Sequence, residues 1–292
     1  MRRVDIKIGF ACNNHCKFCV QGDKRERHGP RPLERIRHDL IEARRQGATG
    51  IVVTGGEPTV HQTILPTLRM AKALGYETLQ IQSNGRTFAY EELCRKLIEA
   101  GANQFSPALH GATAEVHDEL TCAPGSFAQT TQGIRNLTRL GQTVITNSVI
   151  TSVNYPQLPD LARLLVSLGV AQYQFAFVHI LGTAAANKAW LVPRKSEIMP
   201  FVHRGLDVGR AAGVRCMTEA IPYCFMQGYE DCVAERIIPV TRIYDADQTM
   251  ADYTAYRLNE GKAKGPRCPE CTYCAQCEGP WREYVEHVST SS

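Results

Sequence analysis

The stretch Val4-Asp5-Ile6-Lys7-Ile8-Gly9-Phe10-Ala11-Cys12-Asn13-Asn14-His15-Cys16-Lys17-Phe18-Cys19 runs from an apolar segment of strand length into a loop with three cysteines spaced C-x3-C-x2-C. With 12 cysteines in 292 residues, each position is Cys with a frequency of ~0.04, so chance supplies about 0.02 such triplets. Three thiolates at this spacing can hold three irons of a [4Fe–4S] cluster. No fourth cysteine lies nearby in sequence, which leaves one iron open. Two other assignments stand beside this one: a zinc site completed by His15, or three ligands of an ordinary four-cysteine cluster. His15 is the weaker ligand candidate and better placed to shape the loop.

Outward from this stretch, strand-length apolar or β-branched runs recur at 50–54, 77–83, 104–108, 143–150 and 172–178. Amphipathic segments lie between them. Leu33, Ile36, Leu40 and Ile41 share one helical face, as do Tyr90, Leu93, Cys94, Leu97 and Ile98, and Leu158, Leu161, Leu164, Leu165 and Leu168. Each helix ends at a glycine suited to a left-handed cap: Gly47, Gly75, Gly101, Gly141, Gly169 and Gly213. Six such units predict parallel strands with right-handed crossovers. The fold class is therefore α/β, a partial (β/α)6 TIM-like barrel over residues 1–215, with a small cysteine-rich C-terminal extension over 216–292.

In such folds reactive groups gather where strands end. That rim collects the cysteine loop, Thr54-Gly55-Gly56-Glu57-Pro58, Ser83-Asn84-Gly85, His110-Gly111, Asn147 on strand five and His179 after strand six. The triplet's position there, with a glycine-rich acidic loop on the next strand, argues against zinc and against a closed cluster. Formal net charge is only +4, too mild for a nucleic-acid or membrane surface. The sequence lacks a spanning apolar run and its start lacks a signal peptide's apolar stretch, so a cytoplasmic protein is expected. Disulfides are disfavoured there, and clustered cysteines point to metal or redox chemistry.

The C-x3-C-x2-C loop with Phe18 before its last cysteine, together with Gly55-Gly56-Glu57-Pro58, resembles the radical S-adenosylmethionine (SAM) enzymes over residues 4–215. The resemblance implies that Cys12, Cys16 and Cys19 hold a [4Fe–4S] cluster whose open iron binds SAM. The Gly55–Glu57 loop would receive the SAM amino group through backbone carbonyls and a carboxylate, and Phe18 would pack near the adenine. Ser83, Asn84 and Asn147 are candidates for carboxylate or ribose contacts, with strand-end capping as their structural alternative. Reductive cleavage would give methionine and a 5′-deoxyadenosyl radical that abstracts a substrate hydrogen. A one-electron donor of flavodoxin or ferredoxin type is implied.

A second dense pattern is Lys264-x3-Cys268-x2-Cys271-x5-Cys277-x-Gly279-x4-Tyr284, with Ile221-Pro222-Tyr223-Cys224 upstream. Together these resemble the Twitch/SPASM-like extension of some radical SAM enzymes, and imply one auxiliary [4Fe–4S] cluster on Cys224, Cys268, Cys271 and Cys277. Trp281 stands where a full two-cluster extension carries a further cysteine, and Cys224 and Cys232 flank Gly228 at the wrong spacing. Cys274 competes with Cys277, and Cys232 and Cys216 compete with Cys224. A zinc knuckle is the alternative occupant.

Candidate acid–base or hydrogen-bonding groups in the cleft are His110, His179 and Glu219. Lys24, Arg25, Arg27, Arg31, Arg35 and Arg37 form a basic stretch that is either a solvated surface or a contact for an acidic or phosphate-bearing substrate. The leading expectation is oxidation, cross-linking or rearrangement of a peptide or natural-product precursor. The second is cofactor biosynthesis on a small molecule. The molybdopterin-precursor cyclase fits poorly, since its Gly-Gly tail is absent and this sequence ends Ser289-Thr290-Ser291-Ser292. A third, of another class, is a non-enzymatic iron–sulfur carrier or scaffold, which would not need the Gly55–Pro58 loop.

Overall fold

Seven strands, β1 (Arg2–Lys7), β2 (Ala48–Thr54), β3 (Thr78–Ser83), β4 (Gln104–Pro107), β5 (Thr143–Ile150), β6 (Gln172–Phe177) and β7 (Arg215–Glu219), lie side by side in chain order and all parallel in the computed structural model. The structure describes residues 2–246 and 248–290; Met1, Asp247, Ser291 and Ser292 lie outside the described residues. Crossover helices α1 (Leu33–Arg45), α2 (Ile64–Ala73), α3 (Glu91–Ala100), α4 (Ser126–Arg139), α5 (Leu158–Ser167) and α6 (Lys195–Ala212) cover one face. The sheet stays open, as expected for a partial barrel.

Strand alternation sets the two faces. Val4, Ile6, Ile51, Val53, Leu79, Ile81, Tyr173 and Phe175 are buried in the core that also takes Ile36 and Leu40 of α1, Leu68 of α2 and Leu97 of α3. The alternate positions, among them Asp5, Gln80, Gln82, Gln172 and Gln174, line the lumen. A closed (β/α)8 barrel packs its interior with branched apolar side chains; here the interior is polar. The six helix-ending glycines all have positive φ, such as +119° at Gly101 and +70° at Gly141. Tyr90 departs from its predicted stripe: it is the residue ahead of α3 and is 67% exposed. Cys94 is a core residue, as expected.

The sheet continues past residue 215. β7 pairs with β6, and β8 (Thr241–Tyr244) returns to pair in parallel with β1, with β9 (Thr249–Met250) antiparallel on β8. A six-stranded open sheet would leave two edges of unpaired N–H and C=O groups, and these late strands satisfy both. β7, Arg-Cys-Met-Thr-Glu, is short and carries charges at both ends, which hides it from a search for apolar runs. The Asp245 carboxylate after β8 takes Lys7 and Lys24 at 2.6 Å each. Burial works upward on it, but these two cations hold it down to about 2.

The extension ends in helix α7 (Arg282–Thr290), preceded by an isolated antiparallel bridge between Lys262 and Trp281. Two buried ion pairs, Arg257–Glu278 at 2.9 Å and Lys262–Glu235 at 3.1 Å, tie parts of the extension to one another. Among the described residues no helix is long and apolar enough to cross a membrane.

Candidate functional site

The cysteine loop is laced to the loop after β2 by backbone alone. The N–H of Gly56 donates to the Gly9 carbonyl and that of Glu57 to the Ala11 carbonyl, both at 2.9 Å. A Cβ on Gly55 would sit 2.1 Å from the Gly9 oxygen, and one on Gly56 2.3 Å from the Phe10 oxygen. Only glycine permits this approach, and φ at Gly55 is +137°. The other side of the loop is held by the helix at Ala114–Thr121: His15 and Lys17 donate their N–H groups to Thr121 and Leu120 at 2.9 Å.

Arg86, Arg25 and Asn84 complete the brace. The Arg86 guanidinium donates to the Asn13 carbonyl and, at 3.0 Å, to Asn14 Oδ1. Arg25 donates to the Asn14 carbonyl at 3.0 Å. Asn84 Nδ2 donates to Asn13 Oδ1 at 2.6 Å and reaches Cys12 Sγ at 3.8 Å; the Asn14 N–H also reaches that sulfur, at 3.4 Å. Burial pushes the Cys12 and Cys16 thiols up, and at Cys16 the neighbouring Cys19 and Cys12 thiols add to it. Three half-buried thiols brought together in one braced loop are a donor set suited to a metal cluster, which binds the thiolates.

Glu57 is fully buried, and its carboxylate is already engaged. Oε1 accepts from Ser83 Oγ at 2.9 Å and from the N–H and hydroxyl of Thr59; Oε2 accepts from the Asn84 N–H at 2.7 Å. Burial pushes this carboxyl up, and those four donors oppose it. Glu57 therefore ties the loop after β2 to the loop after β3, leaving the backbone carbonyls of the Gly-Gly segment as its outward acceptors. Pro58 opens the 3-10 turn that carries Thr59. Ser83 also accepts from the Gly85 N–H at 2.9 Å. Asn147 differs: its Oδ1 is buried, lines the lumen and has no hydrogen-bond partner.

Phe18 is buried, edge-on to His110 at 4.6 Å between ring centres. The His110 ring accepts the Val149 N–H at Nδ1, 3.1 Å, while the His110 backbone N–H donates to His117 Nδ1 at 3.0 Å. Burial, with His117 adding to it, holds His110 well below the usual imidazole range. It is thus a neutral ring pinned at one nitrogen. His179 stacks on Trp281 at 3.9 Å and approaches Glu283 at 3.6 Å, and burial lowers it too. Trp281, in the place of a cysteine, is therefore a packing residue. Glu219 accepts from Gln174 at 2.6 Å and lines the lumen; burial and Glu235 push it up against Lys262, Arg257 and Arg3.

The C-terminal cysteines converge. Burial pushes the Cys224 thiol up, and the thiols of Cys277, Cys268 and Cys271 add to it. Cys274 instead faces Lys264, whose Nζ donates to its carbonyl at 2.6 Å. Cys216, within β7, and Cys232 are buried beside each other. In the basic stretch, Lys24, Arg25 and Arg31 are taken by Asp245, Asn14 and Asp39 respectively.

Sequence reasoning missed Asn13, Asn14 and Arg86 as braces, and Arg257 and the lumen glutamines. The Gln-x-Gln pairs at 80/82 and 172/174 carried a signal: period-two polar positions on strands whose other face is apolar.

A sequence profile of the radical SAM superfamily matches residues 6–165, more than half of the chain. The chain is 30% identical over 196 residues to the AdoMet-dependent heme synthase of Oleidesulfovibrio alaskensis, covering 65% of this chain and 49% of that protein. It is 24% identical over 322 residues to the tungsten-containing aldehyde ferredoxin oxidoreductase cofactor-modifying protein of Pyrococcus furiosus, covering 95% of this chain and 89% of that one. Thus it spans about half the length of the first relative and most of the second. Streptococcus suis SuiB, crystallised with its precursor peptide SuiA, superposes with a TM-score of 0.69 at 14% identity over 95% of this chain and 71% of SuiB. The chain is a member of the radical SAM superfamily of enzymes.

Proposed function

We propose that this enzyme abstracts a hydrogen from a peptide or small-molecule substrate held in the barrel lumen, leading to oxidation, cross-linking or rearrangement. Cys12, Cys16 and Cys19 would hold the [4Fe–4S] cluster. When bound, the cluster and SAM together supply a one-electron cleavage that yields methionine and a hydrogen-abstracting radical. The lacing of the cysteine loop to Gly55-Gly56-Glu57-Pro58 at the mouth of a polar lumen is the observation that carries this reading. Gly55 and Gly56 present backbone carbonyls, Asn147 presents an unpaired Oδ1, and Phe18 offers an apolar wall.

Cys224, Cys268, Cys271 and Cys277 would hold an auxiliary cluster able to take the electron left after hydrogen abstraction. Among the described residues, only His38, Asp39 and Glu42 bring three metal-ligating atoms within 4.8 Å of one another. A flavodoxin or ferredoxin would supply the electron.

The near-complete span shared with the cofactor-modifying protein of Pyrococcus furiosus supports a second reading, a small cofactor precursor as substrate. Anaerobic incubation with dithionite and SAM tests the core of both. 5′-Deoxyadenosine is expected, and its absence from fully reconstituted enzyme would sink them. Replacing Cys12, Cys16 and Cys19 together should abolish the product while about four irons remain on the C-terminal site; one zinc and no iron would establish the knuckle instead.

A further inference from the structure

The lumen is a cavity of about 250 Å³ lined by Arg3, Asp5, Gln174 and Glu219 from the strands and by Arg257 from the extension.

Arg257 is only 1% exposed. Its Nε and Nη2 donate to the two oxygens of Glu278, each at 2.9 Å, and its Nη1 is buried with no partner. Asp5 Oδ1 is buried without a hydrogen bond; it lies 3.3 Å from Arg3 Nε, which has none either. Glu219 lies within electrostatic reach of Arg3 and Arg257 and has Gln174 as its hydrogen-bond donor. A buried polar atom without a hydrogen bond is destabilising; Asp5 has Arg3 as its ion-pair partner, whereas Arg257 Nη1 has none. A guanidinium nitrogen and carboxylates lining one cavity suit a ligand that carries both charge signs.

We propose that the lumen binds the zwitterionic group of the substrate, a free α-amino acid moiety, with its carboxylate on Arg257 Nη1 and its ammonium on Asp5 and Glu219. This rests on the proposed radical SAM function and specifies its substrate class. The cavity is at the small end of ligand sites, which run from about 300 Å³ upward, so it holds one residue rather than a threaded chain. The extension thus contributes a substrate-binding residue as well as cysteines. Arg257 also sits where a short π-helical turn, Arg257–Gly261, interrupts the chain, a feature frequent at functional sites.

The test is thermal unfolding of the holoenzyme with saturating SAM, so that the rim is filled. Each proteinogenic amino acid is added in turn, beside its N-acetyl and amide derivatives. At least one free amino acid should raise the midpoint, and its masked forms should bind at least about tenfold more weakly, the loss expected for a charged hydrogen bond. Arg257→Gln and Asp5→Asn should remove the shift, and Arg257→Lys should retain part of it. Iron content and a single cooperative unfolding transition without ligand, as in the wild type, show that the three variants fold. The proposal is overturned if no free amino acid shifts the midpoint, if masked and free forms bind alike, as simple water-filled polarity would give, or if Arg257→Gln binds like wild type. Loss of 5′-deoxyadenosine in the wild type would overturn the radical reading separately, since binding is read without turnover.

Discussion

Glu57 Oε2 accepts the backbone N–H of Asn84 at 2.7 Å, so one buried carboxylate fixes the relative height of the loops after β2 and β3. Asn84 in turn holds Asn13 of the cysteine loop. Glu57→Gln would set an amide NH2 against a donor in this cage. The expected cost is ~1–3 kcal/mol of stability and a drop of at least about tenfold in 5′-deoxyadenosine formation, read by denaturant unfolding and product chromatography. Wild-type rates in this variant would show the clamp to be dispensable.

Gly56→Ala should be far worse than Gly47→Ala. The first puts a methyl group 2.3 Å from the Phe10 carbonyl and parts the two laced loops, whereas nothing lies within 4 Å of the second. Overpacking costs roughly 1–3 kcal/mol, and iron content should fall with it. Gly47→Ala pays only left-handed backbone strain, about 1–2 kcal/mol, with iron unchanged. Iron assay and urea midpoints on both proteins decide.

His117 is buried and accepts the His110 N–H. Burial lowers its pKa to about 4. Its unfolded pKa is ~6.5, so between these values the unfolded chain binds a proton that the folded one refuses. Stability is therefore present above pH ~6.5 and falls as the pH drops toward 4, by at most ~1.4 kcal/mol per pH unit from this group. Urea midpoints measured from pH 7.5 to 4.5 should show the decline, and His117→Gln should make it shallower.

Cys274→Ser should leave the iron content of the C-terminal site intact, while Cys277→Ser and Cys224→Ser should each lower it. The reason is placement: Cys277 acts on Cys224, and Cys274 faces Lys264. Equal iron loss in Cys274→Ser and Cys277→Ser would reverse the assignment.

Several elements were legible because their causes are local. Apolar or β-branched runs of strand length marked β2, β3, β5 and β6, and all six glycine caps were read from helix ends that need positive φ. The charged, five-residue β7 was not, because its strand character comes from pairing with β6. Tyr90 fell off its predicted stripe because residues ahead of the first helical turn do not follow helical spacing. The four donors on Glu57 come from Thr59, Ser83 and Asn84, and no spacing rule reports that.

The sequence by itself determined the repeating α/β pattern, the three-cysteine loop and the Gly-Gly-Glu-Pro turn, all set by contacts within a few residues. Tertiary structure alone decided that β8 closes onto β1 and that Arg257 lines the same lumen as Asp5. These partners are separated by hundreds of residues. What brings them together is the satisfaction of open sheet edges and the burial of ion pairs, forces that act on the folded chain and leave no period in the sequence.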